Sequence, residues 1–206
     1  MRLAVNTWET PSLTGRSDAT GTLFVPRRVL SPFYRQSLGN DGRMSDTKAE
    51  TDLLVVELQP GTIRFDAVQS LAAEVQSQDR HLTSDFPAAM ESHVLGAFSA
   101  SRCAGFLRYL IQIIGAEEGR PAVMRNGMPL TEGFVEAFGV DPQLRRRGVG
   151  TALQQCAAGQ CRGAGCYQMR SRSPVTSVEN YALKIAAGYV LDPSHENDSY
   201  YWLLRL

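Results

Sequence analysis

From residue 52 to the C-terminus, short apolar runs alternate with stretches whose apolar residues recur every three or four positions. Leu53–Leu58 reads as a strand closed by Pro60-Gly61. Asp66 is placed to cap a helix that would bury Val68, Leu71, Ala72 and Val75. A short helix is expected near 86–90. Residues 94–99 and 104–114 read as strands around a Ser-Arg turn. Residues 115–129 then form a loop of hairpin character, with Asn126-Gly127 at its turn. A strand over 134–140 leads into a helix from Thr151 to about Arg162, which Gly163 and Gly165 end. Residues 167–170 are strand-like, 178–187 helical, and 189–191 with 200–206 a closing hairpin. The predicted order is β-α-α-β-β-β-α-β-α-β-β, a single α/β domain with a mixed central sheet and flanking helices.

Residues 1–50 break this pattern. They are rich in Gly, Ser, Thr, Arg and Pro without a period, and are expected as a disordered or non-native arm before a domain over 51–206. Met44, followed by Ser45-Asp46-Thr47-Lys48, reads as an alternative start. Across the 206 residues 43% are apolar, enough for one core. The formal net charge is zero, which argues against nucleic acid as a partner despite Arg2, Arg16, Arg27 and Arg28. No apolar run is long enough for a membrane span. Cys103, Cys156, Cys161 and Cys166 have no histidine at zinc spacing, so free thiols in a reducing cytoplasm and no metal are expected. His81, His93 and His195 are scattered. Ser171 and Ser173 have no base motif beside them.

The chemistry concentrates between the strand ending at Val140 and the helix starting near Thr151. A proline turn, Arg145-Arg146-Arg147 and the pair Gly148-x-Gly150 lie there. Glycines let main chain approach a ligand, and the first N–H groups of a helix lack internal partners. Together with the helix dipole they favour phosphate or pyrophosphate. No Lys follows Gly150, which removes a Walker loop, and Leu153 stands where a dinucleotide fingerprint needs a third glycine.

The run Val140-x-Pro142-x-x-Arg145-x-x-Gly148-x-Gly150 resembles the acetyl-CoA-binding motif of the GCN5-related N-acetyltransferases (GNAT). Motif-level likeness covers about 134–189, and element order matches over 52–206. The resemblance implies an acetyl-CoA-dependent N-acetyltransferase acting on a primary amine by direct attack in a ternary complex. It sets the pyrophosphate on the N–H groups of Arg146, Arg147, Gly148, Val149, Gly150 and Thr151, with Arg145 as the motif arginine. Phe138, Gly139 and Val140 would run along the pantetheine and polarise the thioester carbonyl, with 167–171 as the opposite wall.

For the base, period-two counting sets Glu136 on one face with Phe138 and Val140, and Glu132 is second choice. The alternative for Glu136 is an ion pair with an arginine such as Arg108. Many family members carry N-x-x-A-x-x-x-Y-x-x-x-G-F in the late helix. Alignment on Gly188-Tyr189 puts Ser177 at the Asn and Lys184 at the Tyr. Tyr181 is therefore the candidate acid, with helix packing as its alternative. Lys184 is expected to meet a CoA phosphate, and Asn180 and Ser177 to bond the pantetheine, Ser177 also being a plausible helix cap. The acceptor would be shaped by 78–90 and by the loops before Glu132 and after Leu191, with Asp79 and Asp85 as possible amine anchors. The expected partners are a small-molecule amine in preference to a protein amine, and a homodimeric second copy, with neither nucleic acid nor membrane. The rival is a non-catalytic acyl-CoA-binding regulatory module.

Overall fold

The computed structural model describes residues 34–35, 53–75, 78–193 and 198–206. The strands are β1 (Tyr34–Arg35), β2 (Leu53–Leu58), β3 (Ala89–Ser99), β4 (Arg102–Ile113), β5 (Met124–Arg125), β6 (Met128–Pro129), β7 (Thr131–Val140), β8 (Gln168–Pro174), β9 (Val190–Pro193) and β10 (Ser199–Arg205). The helices are α1 (Ile63–Glu74), α2 (Val149–Gly163) and α3 (Val178–Ala186), with 3₁₀ turns at Asp79–Leu82, Ala116–Glu118 and Pro142–Leu144. Eight strands form one sheet in the order β1-β2-β3-β4-β7-β8-β10-β9. Every pairing is antiparallel except β7 with β8, which α2 connects as a crossover. The mixed sheet with flanking helices is the fold class expected from the sequence. Apart from β1, which pairs with Leu54 and Val55, the arm up to residue 50 and Met44 lie outside the described residues.

Each face of the sheet has its own core. Phe65, Val68, Leu71 and Ala72 of α1 pack on Leu58, Val94, Phe98, Phe106 and Ala137. On the other face, Ala152, Leu153, Ala157 and Cys161 of α2 pack on Leu95, Leu107, Tyr109, Val135 and Met169. This alternation of apolar side chains to opposite faces makes the central strands look almost continuously hydrophobic in sequence.

Several boundaries differ from the sequence expectation. Thr62, not Asp66, caps α1, its Oγ1 accepting the Phe65 N–H at 3.3 Å, and Asp66 falls in the first turn. The short helix expected near 86–90 is absent. A 3₁₀ turn at Asp79–Leu82 stands before it, and Ala89 already begins β3. Residues Glu91-Ser92-His93 lack apolar alternation, but their main chain pairs with Ile111, Leu110 and Tyr109, and the His93 ring stacks on Tyr109 at 4.8 Å. β8 likewise runs past Arg170 to Pro174, because the polar Ser171 and Ser173 are buried against a lysine. The expected hairpin is present, with Asn126 and Gly127 at φ 52° and 80° between β5 and β6.

Candidate active site

Pairing of β7 with β8 covers Glu132–Val135 against Gln168–Ser171 and then stops, although β7 continues to Val140 and β8 to Pro174. Beyond Val135 the two strands share no ladder, so the sheet parts in its middle. The Phe138 N–H is directed out of the ladder and donates to Gln78 Oε1 at 3.1 Å. An amide carbonyl oxygen thus sits on the N–H that the sequence reading gave to a thioester carbonyl.

On the α2 face, the motif builds a main-chain cradle. Asp141, held by Arg102 at 2.5 Å, caps the Pro142–Leu144 turn through the Gln143 N–H at 2.9 Å. Arg146 (φ 62°) and Gly148 (φ 80°) then adopt left-handed backbone. Such reversals turn successive N–H groups toward one point, and the first turn of α2 adds its own free donors. No acidic residue lies in that turn. A Cβ on Gly150 would come within 3.0 Å of Leu183 Cδ2 and 3.1 Å of Phe138 Cζ, so a glycine is what lets α2 approach β7 and α3. Arg145 pairs with Glu179 of α3 at 3.1 Å in solvent, a contact worth at most about 1 kcal/mol. Arg146 and Arg147 are exposed.

α3 closes this face. Asn180 Nδ2 donates to Ser173 Oγ at 3.2 Å, and its buried Oδ1 has no hydrogen-bond partner among the described residues. Ser177 occupies the N-cap position but makes no side-chain capping bond. The Tyr181 hydroxyl donates to the Pro174 carbonyl at 2.6 Å, and its ring lies against Tyr200 and Trp202, as the packing alternative has it.

Lys184 corrects the phosphate expectation. It is fully buried and donates to Ser171 Oγ at 2.7 Å and Ser173 Oγ at 2.6 Å, so its ammonium is aimed at β8 and not at the cradle. Burial without a carboxylate partner pulls its pKa down to about 7. The unfolded chain, with an ordinary lysine near 10.5, binds more protons between these two values. Stability therefore rises with pH across about 7 to 10.5 and is flat below. Lys184→Met loses this contribution. Denaturant unfolding at pH 6.5 and 9.5 should show the wild type gaining on the variant at the higher pH.

The other face holds the candidate base. β4 and β7 pair Arg108 with Ala137 but Tyr109 with Val135, so Glu136 is the extra residue of a β-bulge. The bulge resets the alternation. Glu136 does not share a face with Phe138 and Val140, which pack toward α2. Its carboxylate instead meets His81 of the 3₁₀ turn, Oε1 to Nδ1 at 2.9 Å. Arg108 is close enough to act on Glu136 electrostatically, but its guanidinium is spent on the carbonyls of His81 and Ser84 and on Ser92 Oγ. Burial lowers the Arg108 pKa, and Glu136 and Asp85 oppose that shift. Asp85 lines a cleft of about 220 Å³ with Ser84, Phe86, Met90, Glu91 and Arg108. Glu132, the second-choice base, is fully buried and bound by Arg170, Gln112 and Gln168. His81 carried no signal in the sequence, since its partner is 55 residues away.

All four cysteines are free, and no group of side chains among the described residues is arranged to hold a metal. No helix among them is long and apolar enough to cross a membrane.

A family model described as "Acetyltransferase (GNAT) family" matches residues 65–182. Aminoglycoside N(6')-acetyltransferase type 1 of Klebsiella aerogenes is 38% identical over 56 residues, 27% of this chain and 37% of that protein, so the match spans well under half of the relative. Arabidopsis thaliana NAA60 in complex with acetyl-CoA superposes with a TM-score of 0.59 at 12% identity, over 75% of this chain and 98% of that one. The GNAT domain of S. lividans PAT gives 0.55 at 17%, over 76% and 92%. These two show the fold, and the family model covers more than half of the sequence. The chain belongs to the GNAT acetyltransferase family.

Proposed function

We propose that the protein moves acetyl from acetyl-CoA to a primary amine by direct attack in a ternary complex. The observation that carries this reading is the parting of β7 and β8, with an anion cradle on one face of the sheet and Glu136 on the other. On the donor side, the N–H groups of residues 146–151 hold the pyrophosphate, and Arg145 braces the turn through Glu179. Pantetheine lies along Phe138, Gly139 and Val140. The unpartnered Oδ1 of Asn180 is suited to one of its amide N–H groups, and Ser177 stands one turn earlier on the same helix. The acetyl carbonyl takes the Phe138 N–H in place of Gln78, which polarises it toward attack.

The acceptor amine comes from the opposite side, past the cleft beside Asp85 and Glu91, whose carboxylates suit a cation. Only the neutral amine has a lone pair, so a base must take a proton. Glu136 does so, oriented by His81. As nitrogen bonds to the carbonyl carbon, the carbon–sulfur bond breaks and CoA leaves as its thiol. We take the acceptor to be a small molecule, in line with the aminoglycoside-acetylating relative and the modest size of the cleft.

An amine panel tests both halves. With acetyl-CoA present, thiol release should be stimulated by small primary amines, aminoglycosides among them, more than by peptides with free N-termini. Binding of acetyl-CoA without release would favour the regulatory-module reading. Stimulation by peptides alone would overturn the acceptor class.

A further inference from the structure

Among the described residues, one fully buried basic group takes no part in the proposed reaction. Lys184 is fully buried, and Ser171 and Ser173 take its hydrogen bonds. Only two of the 21 basic Lys and Arg residues are lysine, Lys48 and Lys184. A sequence that otherwise relies on arginine thus places a lysine in its interior. The two differ in one respect that matters there: a guanidinium keeps its proton, whereas an ammonium can give one away. No carboxylate stabilises the charge. The groups packed around the ammonium are Ser171 and Ser173 from β8, Trp202 from β10 and Tyr189, both rings at 5.9 Å, with Asn180 and Tyr181 on its own helix. Gln154 of α2 faces it indirectly, holding the Tyr189 hydroxyl at 2.8 Å. Both phenols have pKa values raised by burial and stay neutral.

Position gives this cluster a function. Ser171 is opposite Val135, the last pair before β7 and β8 part. It therefore stands where the two strands begin to part, the place at which the proposed reaction brings donor and acceptor together. Ser173 already accepts from both Lys184 and Asn180, while Ser171 accepts only from Lys184 among the bonds seen here.

We propose that Ser171 protonates the departing CoA sulfur and that Lys184 is the positioning residue that resupplies its proton. The inference rests on the acetyl-transfer reading above. As the carbon–sulfur bond breaks, its electron pair stays on sulfur, which takes the Oγ proton of Ser171. Ser171 Oγ takes a proton from Nζ, leaving Lys184 a neutral amine. The proton lost by the attacking nitrogen goes to Glu136. Glu136 has by then passed to solvent the proton it took to free the amine lone pair; after release it loses this second proton and Lys184 regains one, so one proton leaves for each ammonium acetylated. A lysine is a competent donor here because burial brings its pKa close to neutrality.

The test has two arms. Lys184→Met and Ser171→Ala should each lower kcat about 100-fold, with KM for acetyl-CoA within about threefold. In Lys184→Met the alkaline fall of kcat above pH about 7 should also disappear. Loss of rate that is uniform across pH, with the alkaline limb retained, overturns the proposal, as does an acetyl group trapped on Ser171. The second arm needs no variant and no turnover. Lysine labelled with ¹³C at Cε gives two signals, from Lys48 and Lys184. CoA should raise the Lys184 midpoint by about half a unit or more, because a thiolate beside Ser171 favours the ammonium. Desulfo-CoA should leave the midpoint where it is, and an equal response to both ligands overturns the contact. If no amine stimulates thiol release by the wild type, it is the acetyl-transfer reading that fails, and the labelled-lysine titration still decides whether the cluster meets the sulfur.

Discussion

Gly148→Glu is expected to weaken acetyl-CoA binding by at least about 100-fold while the fold stands. A Cβ at this position meets nothing within 4 Å, so the new side chain has room. The backbone there has φ 80°, and forcing a non-glycine residue into it costs roughly 1–2 kcal/mol. Part of that is returned, because a carboxylate at the start of α2 interacts well with the helix dipole. For the same reason the carboxylate occupies the position the pyrophosphate needs and repels it. Gly148→Ala carries the backbone strain without the charge. Calorimetric titration with acetyl-CoA should therefore find the alanine variant close to wild type and the glutamate variant without measurable heat. Equal affinity in both would remove the cradle from the donor site.

Glu136→Gln should lower kcat by about 10²- to 10⁴-fold and leave acetyl-CoA affinity within about twofold. The amide oxygen can still bond the His81 ring, so the bulge and the 3₁₀ turn keep their geometry, but the side chain can no longer accept a proton. Affinity is spared because Glu136 is on the face of the sheet away from the cradle. Steady-state rates with a primary amine, alongside direct titration of acetyl-CoA, separate the two effects. Wild-type kcat in the variant would exclude Glu136 from the proton path, and a matching loss of affinity would mean that it supports the donor site instead.

The proposed donor half of this site is legible in the sequence because it is local. Val140 to Thr151 is one continuous stretch, and a cradle of main-chain donors needs only a strand end, glycines and a helix start in that order. The proposed acceptor half is made of residues far apart in the chain. His81 meets Glu136 only because the Asp79–Leu82 turn folds over β7. The face of Glu136 was misread because period-two counting assumes an unbroken ladder, and a bulge leaves no mark in the apolar pattern. Lys184 was misread for a related reason. A lysine near a phosphate site suggests a counter-charge, and only the fold reveals that Ser171 and Ser173, thirteen and eleven residues earlier, surround it in the interior. The polar content of 91–93 and 171–173 likewise hid the ends of two strands that main-chain pairing makes plain.

The bulge has one more consequence. Arg108 and Tyr109 are consecutive, and their partners Ala137 and Val135 would be consecutive too if residue 136 were missing. Val135 would still turn to the α2 core and Ala137 to the α1 core. The chain is therefore one residue longer than its sheet requires. A single-codon deletion there would leave the ladder more regular while taking away the carboxylate. Descendants of such a lineage could keep the fold and the main-chain cradle and yet lose the proposed base in one step.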